Sequence, residues 1–318
     1  MEEKRYNTLG ETAQPKESAN MSDSFNAANP DSQKRESEKR PEWLKPNVLD
    51  DYEIFEMVPQ LKNHPRLYKF LYKLLAIDKV NWLHGRNYDK KGPGAVPKGM
   101  LDDLNVKLVV DNEQVLEHLP EGPFITVSNH PFGAMDGIIL IYLISKHRPK
   151  YKVMVNMILN HISGMRPNFI AVDALASDDP KKKAVSMKGI KEAIMQVRSG
   201  NPIGFFPAGA VSKINGHLRI VDREWQPNII RLIEQLKVPV IPVFFHGRNS
   251  TFFNLLGVIS WKLRTLRLPR EVFRRHDTTM HVSIGNPISV EEQKRHQGSL
   301  EEFGAFLKGE TYKMRKWK

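Results

Sequence analysis

The chain has no cysteine, which excludes disulfide bonds, thiolate catalysis and cysteine-ligated zinc. A nucleophile or base must therefore be Ser, Thr, His, Lys or a carboxylate. The chain also has no long apolar run. The longest, residues 137–144, falls well short of the roughly 18 residues that a membrane-spanning helix needs. The amino end lacks a basic start followed by an apolar core and a cleavage site, so we expect no secretory signal and a cytoplasmic location.

The composition is otherwise that of an ordinary soluble protein. Of 318 residues, 40% are hydrophobic and 26% are charged, which fits one large domain or two modest ones. The 48 Lys and Arg residues outnumber the 36 Asp and Glu residues, giving a net charge of +12. Such an excess indicates an anionic partner: nucleic acid, a membrane surface or an acidic carrier protein.

The basic excess does not come from the amino-terminal segment. The first 40 residues contain eight acidic and seven basic side chains and almost no large aliphatic ones, so they cannot bury enough apolar surface to offset the entropy of ordering. We predict a disordered tail over residues 1–45. Beyond residue 40 there are 41 basic and 28 acidic residues, so the body of the protein carries about +13.

Residues 46–100 are predicted to form a helical region that precedes a larger domain at 101–318. Within it, residues 61–83 show a helical repeat of apolar positions, with cations on another side: Leu67, Phe70, Leu71 and Leu74 against Arg66, Lys69 and Lys73. The favoured interpretation is a helix whose apolar stripe packs on the domain. The alternative is a helix lying in a lipid interface, with Tyr68, Tyr72 and Trp82 at the level of the headgroups.

Beyond Pro97 strands and helices alternate. The predicted strands are 124–127, 151–155, 169–172, 203–206, 240–245 and 280–284. The predicted helices are 137–145, 184–198, 227–237 and 252–265. This alternation predicts an α/β fold, with a largely parallel mixed sheet flanked by helices and with ligands near the carboxyl ends of the strands.

The chemistry is expected where the first of these strands ends. The segment Phe124-Ile-Thr-Val-Ser-Asn-His130-Pro-Phe-Gly-Ala-Met-Asp136 places a histidine just after a strand and a carboxylate at the start of a helix. Such a histidine can take a proton from a substrate hydroxyl while a carboxylate on its other ring nitrogen fixes the tautomer. The alternative is that His130 lies in a plain turn and that Asp136 only caps the helix.

Three further segments have a related strand-to-loop form: 164–173, 204–212 (Gly-Phe-Phe-Pro-Ala-Gly-Ala-Val-Ser) and 238–247 (Val-Pro-Val-Ile-Pro-Val-Phe-Phe-His-Gly). With the histidine segment, and in this order, they resemble the PlsC-like glycerolipid acyltransferase superfamily. The similarity is greatest to its branch of hemolysin-like proteins and ornithine- or glycine-lipid O-acyltransferases. It spans about residues 100–290.

The resemblance implies transfer of a fatty acyl group from acyl carrier protein or coenzyme A to a hydroxyl of a single-chain lipid. It makes His130 the general base and Asp136 the residue that orients it, without an acyl-enzyme, metal or cofactor. Backbone amides near Gly209 are expected to help hold the oxyanion. Substrate is expected around Asn129, Gly133, Arg166, Phe206, Pro207, Gly209, Ser212, Lys213 and His246. For His246, a structural hydrogen-bonding role is the favoured alternative.

The sequence departs from the wider superfamily at charged positions. Ala208, Val211 and Val172 stand where that superfamily has a glutamate and two basic residues associated with glycerol phosphate. Because an uncompensated phosphate is costly in a partly dry site, we rank a lyso-aminolipid first as acceptor. Lysophosphatidic acid is the second candidate, with Arg166, Lys213 or Arg219 as substitute cations.

The remaining expectations concern partners. The enzyme is predicted to lie on the inner face of the cytoplasmic membrane. In residues 261–275 cations alternate with apolar residues, which favours a solvated basic face over a headgroup or carrier-protein contact. A nucleic-acid-binding protein is the competing class on charge alone, but no nucleic-acid motif or aromatic stacking pattern supports it. A catalytically silent lipid-binding protein is disfavoured by the intact His130 and Asp136 pair.

Overall fold

A seven-stranded sheet runs through the centre of the computed structural model, which describes residues 41–173, 180–215 and 220–316. The strands of the described residues are β1 Lys107–Asp111, β2 Ile125–Ser128, β3 Lys152–Asn156, β4 Phe169–Val172, β5 Ile203–Phe205, β6 Lys213–Ile214, β7 Ile220–Val221, β8 Val240–His246 and β9 Thr279–Ile284. The order in the sheet is β1-β9-β8-β2-β5-β3-β4, and β6 and β7 form a separate hairpin. The five strands from β8 to β4 are parallel, whereas β9 is antiparallel to β8 and parallel to β1.

Helices cover both faces of this sheet. In the described residues they are α1 Asp51–Met57, α2 Pro65–Leu74, α3 Ile77–Gly85, α4 Ala95–Asp103, α5 Gln114–Glu117, α6 Ala134–Ser145, α7 Pro180–Arg198, α8 Pro227–Leu236, α9 Thr251–Ile259, α10 Trp261–Phe273, α11 Val290–Lys294 and α12 Leu300–Lys313. Short 3-10 turns occupy Pro59–Asn63, Met157–His161 and Ser163–Asn168. Residues of α4 and α6 form a core on one face of the sheet, and residues of α7, α8 and α12 form a core on the other.

The predicted α/β class and the six predicted strands are confirmed, each strand to within one residue at either end. The prediction missed β1 and the β6–β7 hairpin. β1 is an end strand with no fully buried residue, so it lacks the apolar run by which the inner strands were recognised. None of the helices in the part of the chain described here is long and apolar enough to cross a membrane.

The single helix predicted at 61–83 is wrong, because three elements occupy this segment. Pro65 begins α2, a position that suits a residue with no N–H to donate. The chain breaks again at Ala76, whose φ of 56° is left-handed, and α3 then begins. The favoured packing of the apolar stripe is also wrong, since α2 has no buried residue and exposes Leu67, Phe70 and Leu74.

The helix predicted at 252–265 is likewise two helices. Ser260 between α9 and α10 is extended, with φ −156° and ψ 123°, and its hydroxyl accepts the Leu263 N–H at the start of α10. A serine that offers this cap ends one helix and begins the next. α9 and α10 therefore form a hairpin of two helices.

Residues 1–40 of the predicted tail lie outside the described residues. Lys45, near the end of that predicted segment, is instead held in the fold. Its backbone N–H donates to the Ser163 hydroxyl at 3.1 Å, and its ammonium lies 2.9 Å from Asp50. From Trp43 onward the described residues form one compact unit.

Candidate active site

His130 and Asp136 face each other at the carboxyl end of β2. The Nδ1 atom of His130 lies 3.0 Å from Oδ2 of Asp136, and the side chains are 17% and 0% exposed. Burial raises the pKa of the Asp136 carboxyl above its usual value, although its contact with His130 and two backbone amides opposes part of this effect. Because Nδ1 faces the carboxylate, Nε2 is the ring nitrogen left for a substrate proton.

The loop between the two residues is shaped by the start of α6. Asp136 is the third residue of that helix, and its Oδ2 accepts the N–H groups of Phe132 at 2.9 Å and Gly133 at 3.0 Å. The helix-capping role and the catalytic role predicted for Asp136 are therefore both compatible with this position. Gly133 has a φ of +77°, and a Cβ there would lie 3.1 Å from Leu268 and from Val211. Glycine is required here for conformation and for space.

Strand order explains why three of the four motifs meet. β2 lies between β5 and β8, and all three are parallel, so their carboxyl ends share one edge of the sheet. Asn129 extends the pairing with β8 by exchanging hydrogen bonds of 2.9 and 2.7 Å with the backbone of Phe245. Asn129 is buried and acts here as a brace for the His130 loop rather than as an open substrate contact.

The segment after β5 forms one wall beside His130. The ring of Phe206 lies 4.3 Å from the His130 ring, centroid to centroid. The carbonyl of Pro207 accepts the Gln226 N–H at 2.9 Å, and Gly209, with φ +64°, approaches the Gln226 side chain too closely for a Cβ. The Gly209 N–H donates to the Phe206 carbonyl at 2.9 Å. Of the backbone amides near Gly209 that are expected to help hold the oxyanion, that of Gly209 itself is already hydrogen-bonded within the turn.

Asp222, which the sequence analysis missed, connects this wall to the His130 loop. Its Oδ1 accepts the Ser212 hydroxyl at 2.5 Å and the His130 N–H at 3.2 Å. The Ser212 N–H in turn donates to the His130 carbonyl at 2.9 Å. The carboxylate is buried. The only sequence signal was an acidic residue two positions before Glu224 in a segment without apolar periodicity, and that does not distinguish it from a surface residue.

Helix α10 closes over the same loops. Arg264 is buried, and its guanidinium donates to the carbonyls of Ser212 at 3.2 Å and Val211 at 3.4 Å. Arg275, just beyond the helix, lies over the Phe132 ring at 4.4 Å. Burial lowers the pKa of both guanidinium groups. The prediction of a solvated basic face over 261–275 is thus wrong for these two arginines.

Three predicted substrate residues are not brought to His130. Arg166 precedes the amino end of β4, the opposite edge of the sheet, where it donates to the Asn160 carbonyl at 2.5 Å. Lys213 is exposed on β6. His246 is buried beside Phe244, and its Nε2 lies 2.7 Å from the Ser283 hydroxyl. Because side chains alternate along β8, His246 lies on the other face of the sheet from Phe245, which fits the structural alternative. Arg219 lies outside the described residues.

We expect Asp222→Ala to lower kcat/KM about tenfold or more, because the Ser212 hydroxyl and the His130 N–H both lose their acceptor in a buried place. Asp222→Asn keeps an oxygen at the same position and is expected to restore most of the activity. Steady-state kinetics on both variants test this. Equal losses in Asp222→Ala and Asp222→Asn would contradict a positioning role, since the amide oxygen preserves the acceptor but not the charge.

Comparison with known proteins identifies the class to which this site belongs. A family model described as acyltransferase matches residues 102–317. This is well over half of the chain, so the protein belongs to the acyltransferase family, and the predicted enzyme class is confirmed.

Two curated relatives show which branch of the family this chain is most similar to in sequence. The chain is 33% identical to a lyso-glycine lipid O-acyltransferase of Bacteroides thetaiotaomicron over 69% of its own length and 79% of that protein. It is 30% identical to a lyso-glycine lipid O-acyltransferase of Phocaeicola vulgatus, covering 63% and 71% of the two chains. The resemblance to the glycine-lipid branch is confirmed. A structure of the 1-acyl-sn-glycerophosphate acyltransferase PlsC from Thermotoga maritima aligns with 15% identity and a TM-score of 0.43, over 81% of this chain and 99% of that chain.

Proposed function

We propose that this acyltransferase moves a fatty acyl group from an acyl thioester to a hydroxyl of a lyso-aminolipid of the glycine- or ornithine-lipid type. The proposal is carried by the 3.0 Å approach of His130 Nδ1 to buried Asp136, in a chain whose relatives are named lyso-glycine lipid O-acyltransferases. A general base paired with a carboxylate is what attack by a lipid alcohol requires.

The proposed reaction has no acyl-enzyme. His130 Nε2 takes the proton of the acceptor hydroxyl as its oxygen attacks the thioester carbonyl, giving a tetrahedral oxyanion. Collapse of this intermediate forms the ester C–O bond and breaks the C–S bond, and the imidazolium returns its proton to the departing thiolate. Asp136 holds the N–H tautomer at Nδ1 and stabilises the imidazolium while it exists.

The lining of the loop after β5 supports an acceptor without a phosphate. Ala208 and Val211 are both buried, so the two positions that carry charge in the wider superfamily offer only apolar surface. Lysophosphatidic acid is the second candidate for one specific reason. Arg264 reaches the backbone of this loop from α10, and no carboxylate among the described residues pairs with it. A guanidinium there is able to meet a phosphate or a carboxylate.

The donor and the place of reaction are part of the same proposal. The positive charge of the protein suits both an acidic acyl carrier protein and an anionic membrane. A single-chain lipid acceptor is held in a bilayer, so we place the enzyme on the inner face of the cytoplasmic membrane. Nucleic acid has no role in this proposal.

A panel of donors and acceptors tests the function. Purified protein is incubated with labelled acyl-carrier protein or acyl-coenzyme A and with lyso-glycine lipid, lyso-ornithine lipid or lysophosphatidic acid. We expect a two-chain aminolipid as the main product, formed at least about tenfold faster than phosphatidic acid. Product from lysophosphatidic acid alone would overturn the acceptor, and no product from any pair would overturn the function.

Lipids from cells lacking the gene provide an independent check. Without the enzyme the single-chain acceptor is no longer acylated, so mass spectrometry is expected to show that this lipid accumulates. Accumulation of lysophosphatidic acid instead would identify the second candidate as the true acceptor.

A further inference from the structure

The hairpin of α9 and α10 exposes an apolar face to solvent. Seven large apolar side chains on the two helices are between 49% and 77% exposed: Phe252, Leu255, Val258, Ile259, Trp261, Leu263 and Leu266. We call this set the outward face. Two successive helices with so many exposed large apolar side chains are unusual in a monomeric soluble protein. Such a patch marks a surface that binds another protein or a membrane.

Three buried polar residues of the hairpin, Asn254, Arg264 and Glu271, lie on its inner side. Asn254 is buried and donates to the Asn249 carbonyl at 3.1 Å. The buried carboxylate of Glu271 accepts the Ser250 N–H at 2.8 Å and the Ser250 hydroxyl at 2.7 Å, which ties the start of α9 to the end of α10. The hairpin therefore has the reverse of the usual arrangement for a surface helix. Its polar groups are satisfied inside, while its apolar face remains open.

The inner side of the hairpin contacts the catalytic loops directly. Arg264 donates to the carbonyls of Val211 and Ser212. Leu268 lies against Gly133, at 3.1 Å from the place of a Cβ. If a molecule binds the outward face, the loops of His130 and Ser212 therefore lie about one helix diameter, about 10 Å, from its surface.

Charge indicates what that molecule is. Between residues 248 and 275 the sequence has seven basic residues and one acidic residue. Of these, Arg264 and the acidic residue, Glu271, are buried. Arg274, one of the seven basic residues, is exposed. Within α10, Arg270 donates to the Leu74 carbonyl at 2.7 Å, so the carboxyl end of α2, another helix with exposed apolar residues, contacts the hairpin. An apolar face bordered by cations matches an anionic lipid surface.

We propose that the outward face of α9–α10 enters the headgroup and acyl boundary of an anionic bilayer and so places the catalytic loops at the lipid surface. This inference rests on the proposed function, since it identifies where the lipid acceptor is met. The occupant is a bilayer rather than an acyl carrier protein, because an exposed aliphatic cluster of this size gains most from burial among lipid chains.

Flotation with vesicles tests the placement. The full-length protein is mixed with phosphatidylglycerol/phosphatidylethanolamine vesicles, or with phosphatidylcholine vesicles, at low and high salt. The test variant is Val258→Asp with Ile259→Asp. The matched control is Met187→Asp with Met195→Asp on α7, where both methionines are also more than half exposed. We expect the test variant to lose at least about tenfold in partition to anionic vesicles and the control to match wild type.

Activity separates this inference from the proposed function. With a short-chain lyso-aminolipid below its critical micelle concentration, we expect the test variant to react like wild type, because the dyad is untouched. With the long-chain acceptor in vesicles it should lose most activity. Wild type inactive on both acceptors would refute the proposed function alone.

Three results would overturn the placement itself. The first is a test variant that floats like wild type. The second is a control that loses as much binding as the test variant. The third is a test variant whose vesicle binding is unchanged but which has lost another interaction. That interaction is either a dimer contact, seen as a wild-type dimer that becomes a monomer, or affinity for acyl carrier protein.

Discussion

His130→Ala is expected to lower kcat by about 10³-fold, or roughly 4 kcal/mol of transition-state stabilisation, because the alanine variant has no group to accept the acceptor's proton. The loss should appear in kcat more than in KM, since the imidazole contributes to the transition state rather than to holding the lipid chain. Steady-state assays with a labelled acyl thioester and a lyso-aminolipid measure both constants.

The fold should survive this change. His130 is partly exposed, and its side chain contacts the Phe206 ring and the Asp136 carboxylate. Asp136 keeps its hydrogen bonds from the Phe132 and Gly133 N–H groups, so the cost in unfolding free energy is expected to be about 1–2 kcal/mol. His118→Ala is the matched control, because His118 is an exposed histidine just after α5 and is not part of the His130–Asp136 pair. An alanine variant at 130 that retains full turnover would remove His130 from the mechanism, whatever the control shows.

Asp136→Asn is expected to lower kcat roughly 100-fold or more while leaving the fold intact. The asparagine oxygen can still accept the Phe132 and Gly133 N–H groups that Asp136 Oδ2 accepts. The same Oδ2 atom faces His130 Nδ1, so an asparagine oxygen at this position keeps the tautomer but lacks the negative charge that stabilises the imidazolium. Turnover close to wild type would show that the carboxylate serves only to cap α6.

The same variant gives a pH-dependent difference in stability. The Asp136 carboxyl has a pKa above its ordinary value of 3.8 because it is buried. Since the folded state then binds the proton more tightly than the unfolded state, ionisation costs stability. We expect the unfolding free energy of wild type, relative to Asp136→Asn, to fall as the pH rises from below 3.8 through the raised pKa. Urea unfolding of both proteins across this range measures it. A difference that grows with pH would mean that the contacts of Asp136 outweigh its burial.

The sequence predicted the inner strands and the dyad because both depend on local patterns. A short apolar run that ends in Asn129-His130-Pro131 reads as a strand followed by a loop, whatever surrounds it. The two segments that join His130 were also recognisable, since Phe206 and Phe245 end similar runs. The strands that flank β2 were not predicted, because a strand's partners in a sheet are not encoded in its own residues.

The errors at the site have a common physical cause, which is that they depend on tertiary placement. Arg166 belongs to a motif whose strand, β4, lies beyond β5 and β3, about 14 Å from β2 at the usual strand spacing. For His246, the sequence does not tell which face of β8 the side chain occupies, and in the structure it lies on the face opposite Phe245 and contacts Ser283. Arg264 lies on α10 and Asp222 follows β7, and neither segment carries a motif. Both residues were therefore missed, although they contact the loops of Ser212 and His130.

Strand order also constrains when the site is completed during synthesis. β2, which leads into His130, is flanked by β5 and β8, and both follow it along the chain. A nascent chain that has reached α6 therefore has the two catalytic side chains but an inner strand with two open edges. Pairing over such sequence distances is slow, and an unpaired apolar strand is prone to aggregate. A carboxy-terminal truncation between β5 and β8 leaves β2 paired on one side only, and such fragments should depend on chaperones to remain in solution.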